Sequence, residues 1–137
     1  VCAIITLVLI GCGGVSDKQF GSKVDGICKR SATELSAIPA PPASDLPANA
    51  SYTAQVLPIV RKAVDKLKAI QAPDSKQSGY KSWISTFDKI RRLIAQQSTA
   101  AAAGDRASFN SLVEQQNTLL QENKAKAALL GFQECSK

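Results

Sequence analysis

Histidine is absent from all 137 residues, and that omission removes the usual proton carrier of neutral-pH catalysis. A general base would have to be an Asp, Glu or Lys with a shifted pKa. Ser78-Gly79-Tyr80-Lys81 sets a Ser and a Lys three residues apart, a spacing at which the amine can activate the hydroxyl as a nucleophile. The Ser-Asp-Asn and Lys-Thr-Gly segments that complete such an acyl-transfer site are both missing, so the four residues read as a polar helical turn. Glu34, Glu114, Glu122 and Glu134 have no Glu-x-x-His partner for a di-iron bundle, and Gly11-Cys12-Gly13-Gly14 lacks the Lys of a phosphate loop. A cell-envelope hydrolase would need a pair of acids assembled by the fold, and no pattern marks one. No catalytic residue and no cofactor is expected.

Two weaker groups of residues suit binding rather than reaction. Gln116 and Asn123 interrupt an apolar stripe, and a buried amide either pairs with another side chain or lines a pocket together with the Trp83–Phe87 region. Lys62, Lys66, Lys89, Arg91 and Arg92 crowd the outer faces of two consecutive segments. They form either a solvated surface or a face for an anionic partner.

Four amphipathic segments must position these residues. The first begins near Ser16, where Ser16 and Gln19 have capping-box spacing, and carries Phe20, Val24, Ile27, Leu35 and Ile38 at helical intervals. It stops at Pro39, and Pro39 to Pro47 read as a stiff linker crossing the end of a bundle. The second runs from about Ser51 to Gln71, with Pro58 inside it predicting a kink or the true helix start. The third starts at Asp74, again with Gln three places on, carries Tyr80, Trp83, Ile84, Phe87, Ile90 and Ile94, and fades into Gly104. The fourth starts at Asp105 and reaches Leu130, where Gly131 supplies the stop and Phe132 packs back over the last turn. Asp25 with Lys29, Asp88 with Arg92 and Glu122 with Lys126 are spaced as helical ion pairs.

No stretch has the period of two that marks a strand. The expected fold is therefore all-α, a four-helix up-down-up-down bundle. Hydrophobic content of 45% with 20% charged residues suits one globular domain, and 5% aromatics imply a core built largely from aliphatic side chains and Ala.

Leu9-Ile10-Gly11-Cys12, after the apolar run from Val1 to Val8, resembles the lipobox of bacterial lipoproteins. The run is too short to span a bilayer as a helix. The resemblance implies that residues 1–11 form a signal peptide and that Cys12 carries a diacylglyceryl group. Residues 12–15 then form a tether and residues 16–137 the domain. The sequence begins with Val, and its first positive charge is Lys18, so the signal peptide is expected to be truncated at its start. With Cys2 removed and Cys12 lipidated, Cys28 and Cys135 are left to form one disulfide outside the cytoplasm, and too few ligands remain for a metal site.

The rest of the layout is similar to a group of small lipoproteins and secreted proteins of high-GC Gram-positive bacteria. The residues that carry the likeness are Ile27-Cys28-Lys29, Glu34-Leu35, Leu57-Pro58-Ile59, Gly104-Asp105 and Gly131-Phe132-Gln133-Glu134-Cys135. It implies the helical fold, the disulfide and attachment to the outer face of the plasma membrane (the outer membrane where there is one), and no chemistry. The formal charge of +6 lies wholly in the domain and favours an anionic lipid, a cell-wall polymer or an envelope protein as partner. Nucleic acid is not expected, because no basic–aromatic stacking motif is present. The expected function is a membrane-tethered, non-catalytic helical binding module. The alternative is a small-ligand carrier with a pocket between helices.

Overall fold

A computed structural model describes residues 16–137; the lipobox, Cys12 and the 12–15 tether lie outside that range. Among the described residues the chain is all-helical, with α1 (Asp17–Ser36), α2 (Leu46–Lys68), α3 (Gln77–Ala102) and α4 (Arg106–Leu130). The helices alternate in direction, so Phe20 of α1 meets Tyr80 at the start of α3 and Phe132 just after α4. At the opposite end Leu46 packs with Ala100, Ala101 and Phe109. None of the described helices is long and apolar enough to cross a membrane.

Local chemistry sets most of the boundaries. The Ser16 hydroxyl oxygen accepts from the Gln19 N–H at 3.3 Å and starts α1. Asp105 caps α4 through the Ser108 N–H at 3.0 Å. Gly131 adopts φ of 83°, and the Phe132 N–H returns to the Ala127 carbonyl while the Gly131 N–H reaches Ala128. That Schellman arrangement turns Phe132 into the core, where it is 1% exposed.

Two boundaries differ from the sequence reading. α2 begins at Leu46, not near Ser51, because Asp45 caps the Ala48 N–H at 3.0 Å and Pro47 occupies the first turn, where its missing donor costs nothing. Pro58 therefore sits inside a continuous helix and is not its start. Both Pro58 and Ala54, whose carbonyl loses its i+4 donor, are exposed residues, so the lost bond falls on the solvent side of the helix and not in the core. The Asp74–Lys76 stretch is a single 3₁₀ turn with no side-chain cap, and α3 proper starts at Gln77.

The core is layered along the bundle. Its lower third holds Phe20, Tyr80, Trp83 and Phe132 in mutual edge-on and tilted ring contacts, with centroids 4.9–6.1 Å apart. Above it Val56, Val60, Val64, Ile90 and Ile94 form an aliphatic layer against which Leu35 and Ile38 close from the α1 side. Cys28 and Cys135 form the expected disulfide, with Cα atoms 5.2 Å apart. Asp25, one turn earlier in α1, does not pair with Lys29. Its two oxygens accept the Gln133 and Glu134 N–H groups at 3.2 and 2.9 Å, holding the tail beside the disulfide.

Candidate functional site

The four residues expected around an inter-helix pocket fall into two places. Trp83 is fully buried, and Asn123 is 6% exposed and bonded to it. The indole Nε1–H donates to Asn123 Oδ1 at 3.0 Å, and Asn123 Nδ2 donates to the Trp83 carbonyl at 3.2 Å. The amide that breaks the α4 stripe is thus consumed by pairing inside the core. Phe87 packs on Trp83 from a half-buried position, with ring centroids 5.8 Å apart. Gln116 lies two turns away from Asn123, where its Oε1 accepts from Gln97 Nε2. Gln97 also donates to the Leu112 carbonyl at 3.2 Å, and Thr86 accepts from Lys126 at 2.9 Å. These bonds run as a polar seam between α3 and α4 and fix their antiparallel register. No buried side-chain nitrogen or oxygen among the described residues lacks a partner.

The five expected cations also divide. Arg91 and Arg92 both hold Asp88, at 2.9 and 3.4 Å, and Lys68 joins them at 3.4 Å. The Arg91 hydrogen bond and the charges of Arg91 and Lys68 keep the Asp88 carboxyl below its ordinary range, against a smaller desolvation penalty. Lys89 lies close enough to Glu122 to help lower its pKa, although Lys126, bonded at 2.7 Å, is the main cause. Lys62 pairs with Glu34 at 3.6 Å. Lys62 and Lys66 border a cleft between α1 and α2, and it adjoins a shallow groove of about 520 Å³.

Two further cations, Lys23 and Arg30, line that groove and were not singled out from the sequence. Their signal was present: Lys23, Gly26 and Arg30 are spaced i, i+3, i+7 and share one stripe of α1. Gly26 lies in the groove, with no atom within 4 Å of where a Cβ would stand. The apolar part of its lining is Ile27, Ala69 and Ile70. Beyond Ile70 a second cleft of about 240 Å³ carries Lys68 and Lys81. Among the residues lining these adjoining clefts, Glu34 is the one acid against six cations. Lys23, Arg30, Lys66 and Lys81 form no ion pair among the described residues.

Four carboxylates are held in the ionised form by their neighbours. Asp105 is held low by the Ser108 N–H and hydroxyl, and Glu134 by Lys137. With Asp88 and Glu122 shifted in the same direction, these four are poor proton acceptors at neutral pH. Ser78 and Lys81 are both exposed on the first turns of α3, while Tyr80 between them is buried. The Tyr80 hydroxyl donates to the Leu67 carbonyl at 2.7 Å, and burial pushes its pKa up. No group of three or more His, Cys, Asp or Glu residues is placed to hold a metal ion among the described residues. Comparison with known proteins gives no matching family model, no matching curated protein and no matching solved structure.

Proposed function

We propose that the protein is an extracytoplasmic lipoprotein, tethered through Cys12, whose helical domain binds anionic membrane lipid through its α1–α2 flank and carries out no chemistry. The observation that carries this reading is the unbalanced charge around the α1–α2 clefts. There Lys23, Arg30 and Lys66 surround an apolar floor, and Glu34, the one acid lining the adjoining clefts, is paired with Lys62 instead. A well-placed Lys or Arg near an anionic surface contributes roughly 1 kcal/mol. The floor of Ile27, Ala69 and Ile70 suits the boundary between headgroup and acyl chain.

The tether length supports the same orientation. Three residues lie between Cys12 and Ser16, so four Cα–Cα steps give a reach of about 14 Å at full extension. Lys23 lies in the second turn of α1, so a chain lipidated at Cys12 keeps the groove near the lipid surface. Two acyl chains would make that attachment stable where one gives only marginal binding.

Metabolic labelling with a fatty-acid analogue tests the anchor, and the reading requires that Cys12→Ser abolish the label. Co-sedimentation of the full chain with phosphatidylglycerol vesicles tests the flank. Association that falls steeply with salt and is absent from phosphatidylcholine supports it. Binding to a poly(glycerol phosphate) cell-wall polymer but not to vesicles would replace lipid as the partner.

A further inference from the structure

A second, chemically different cleft opens at the end of the bundle away from Ser16. α1 is 20 residues long and α3 is 26, a difference of about 9 Å at 1.5 Å per residue. Leu35 and Ile38 close the aliphatic layer near the end of α1, and α2, α3 and α4 continue beyond it. Between those three helices lies a cleft of about 200 Å³. Tyr52 comes from α2, Gln97 from α3, and Gln116 and Asn117 from α4, above a floor that includes Val56 and Ile94. No Asp, Glu, Lys or Arg lines it.

The amides are set before any ligand arrives. Gln97 is 4% exposed, and its Nε2 donates to both the Leu112 carbonyl and Gln116 Oε1. Both of its donors are therefore used, which leaves Gln97 Oε1 as an acceptor and Gln116 Nε2 as a donor, both open to solvent and without a protein partner among the described residues. Asn117, exposed at the mouth, adds another donor and acceptor. A charged ligand would find no counter-charge here. A purely apolar ligand would strip water from the two amides and give nothing back. A neutral polyhydroxyl ring meets both conditions, because adjacent hydroxyls each donate and accept while the ring's C–H face packs on an aromatic side chain. The volume equals about seven waters at ~30 Å³ each, the space of a single sugar ring.

We propose that this cleft binds one neutral pyranose unit, oriented by Gln97, Gln116 and Asn117 and stacked on Tyr52. The site is independent of the basic flank, and failure of either leaves the other standing.

The test is ¹H–¹⁵N NMR titration of the full chain with methyl glycosides of glucose, mannose, galactose and N-acetylglucosamine, with glucuronate as the charged comparator. The side-chain NH₂ signals of Gln116 and Asn117 are direct reporters. The expected result is a saturable shift at these signals and around Tyr52 for at least one neutral glycoside, with at least tenfold weaker binding in Gln116→Leu and Asn117→Ala. Both positions are half-buried or exposed and the other α3–α4 bonds remain, so the variants are expected to keep the fold, with backbone shifts confined to the neighbourhood of each substitution. A β-linked disaccharide forms the second arm. Equal or tighter binding identifies the end of a glycan, binding confined to the monosaccharide identifies a free sugar, and either supports the site. No saturable shift with any neutral glycoside, unchanged affinity in both variants, or a preference for glucuronate overturns the proposal.

Discussion

Asn123 and Trp83 satisfy each other twice across the α3–α4 interface, the indole N–H on the amide oxygen and the amide nitrogen on the Trp83 carbonyl. Trp83 is the chain's one Trp and is fully buried, so its fluorescence reports this contact directly. Asn123→Leu strands a buried indole donor and should cost about 1–3 kcal/mol in urea unfolding. A loss below a few tenths would mean that the pair contributes little. Trp83→Phe in the Asn123→Leu background removes the stranded donor, and part of the loss should return in a double-mutant cycle.

Phe132 is the aromatic centre of the lower core although it follows α4 in a short tail. Its position depends on Gly131, whose φ of 83° is costly for any residue with a Cβ. Phe132→Ala should cost about 3–5 kcal/mol. Gly131→Ala should cost about 1 kcal/mol or more through the left-handed backbone alone. Denaturant midpoints of the two variants separate the effects, and an unaltered Gly131→Ala midpoint would contradict the capping account.

The Cys28–Cys135 link closes a separation of 107 residues, and removing it should cost up to ~4–5 kcal/mol on the chain-entropy model. Asp25 predicts more than a staple. In a Cys28→Ala/Cys135→Ala protein the Gln133 and Glu134 amides should stay partly protected from hydrogen exchange, and adding Asp25→Ala should release them. Equal exchange with and without Asp25 would show that the disulfide alone positions the tail.

Asp88 gives the fold an acid-sensitive term. Its folded pKa is lowered, so its stabilising effect is complete above the ordinary carboxylate range near pH 4 and is lost as pH falls through the lowered value. Asp88→Asn should therefore lower stability by about 1 kcal/mol at pH 7, and the gap from wild type should close on acidification below about pH 4. A gap that is constant with pH would mean that the three surrounding cations do not act through the ionised carboxylate.

The helical periods of Phe20 to Ile38, Tyr80 to Ile94 and Phe109 to Leu130 made the bundle legible in the sequence, because these stripes face the core, fully buried at Phe20, Val24, Tyr80, Trp83 and Phe109 and half-buried at Leu35, Leu119 and Leu120. The Cys28–Cys135 link followed from counting thiols. Two classes of feature were not legible. The start of α2 depended on whether Pro47 breaks or begins a helix, and only the Asp45 cap decides that. The sites depended on contacts between helices. Asp88 with Arg92 was visible as an i,i+4 pair, but the arrival of Lys68 from α2 at the same carboxylate was not, and Lys23 and Arg30 acquire meaning only beside Lys66. Gln116 was visible as a polar break, but its partner Gln97 lies on another helix and no local pattern points to it.

Binding of lipid at the α1–α2 flank is tested most directly by vesicle affinity of two charge-reversal variants of equal net charge change. One carries Lys23→Glu and Lys66→Glu, in the groove. The other carries Arg91→Glu and Arg92→Glu, around Asp88. At ~1 kcal/mol per cation lost and a like amount per charge reversed, the groove variant should bind phosphatidylglycerol vesicles at least a hundredfold more weakly at low salt. The Asp88-side variant should lose less than tenfold. Equal losses would mean that only net charge attracts the protein to the membrane, and an unchanged affinity in the groove variant would contradict the binding flank altogether.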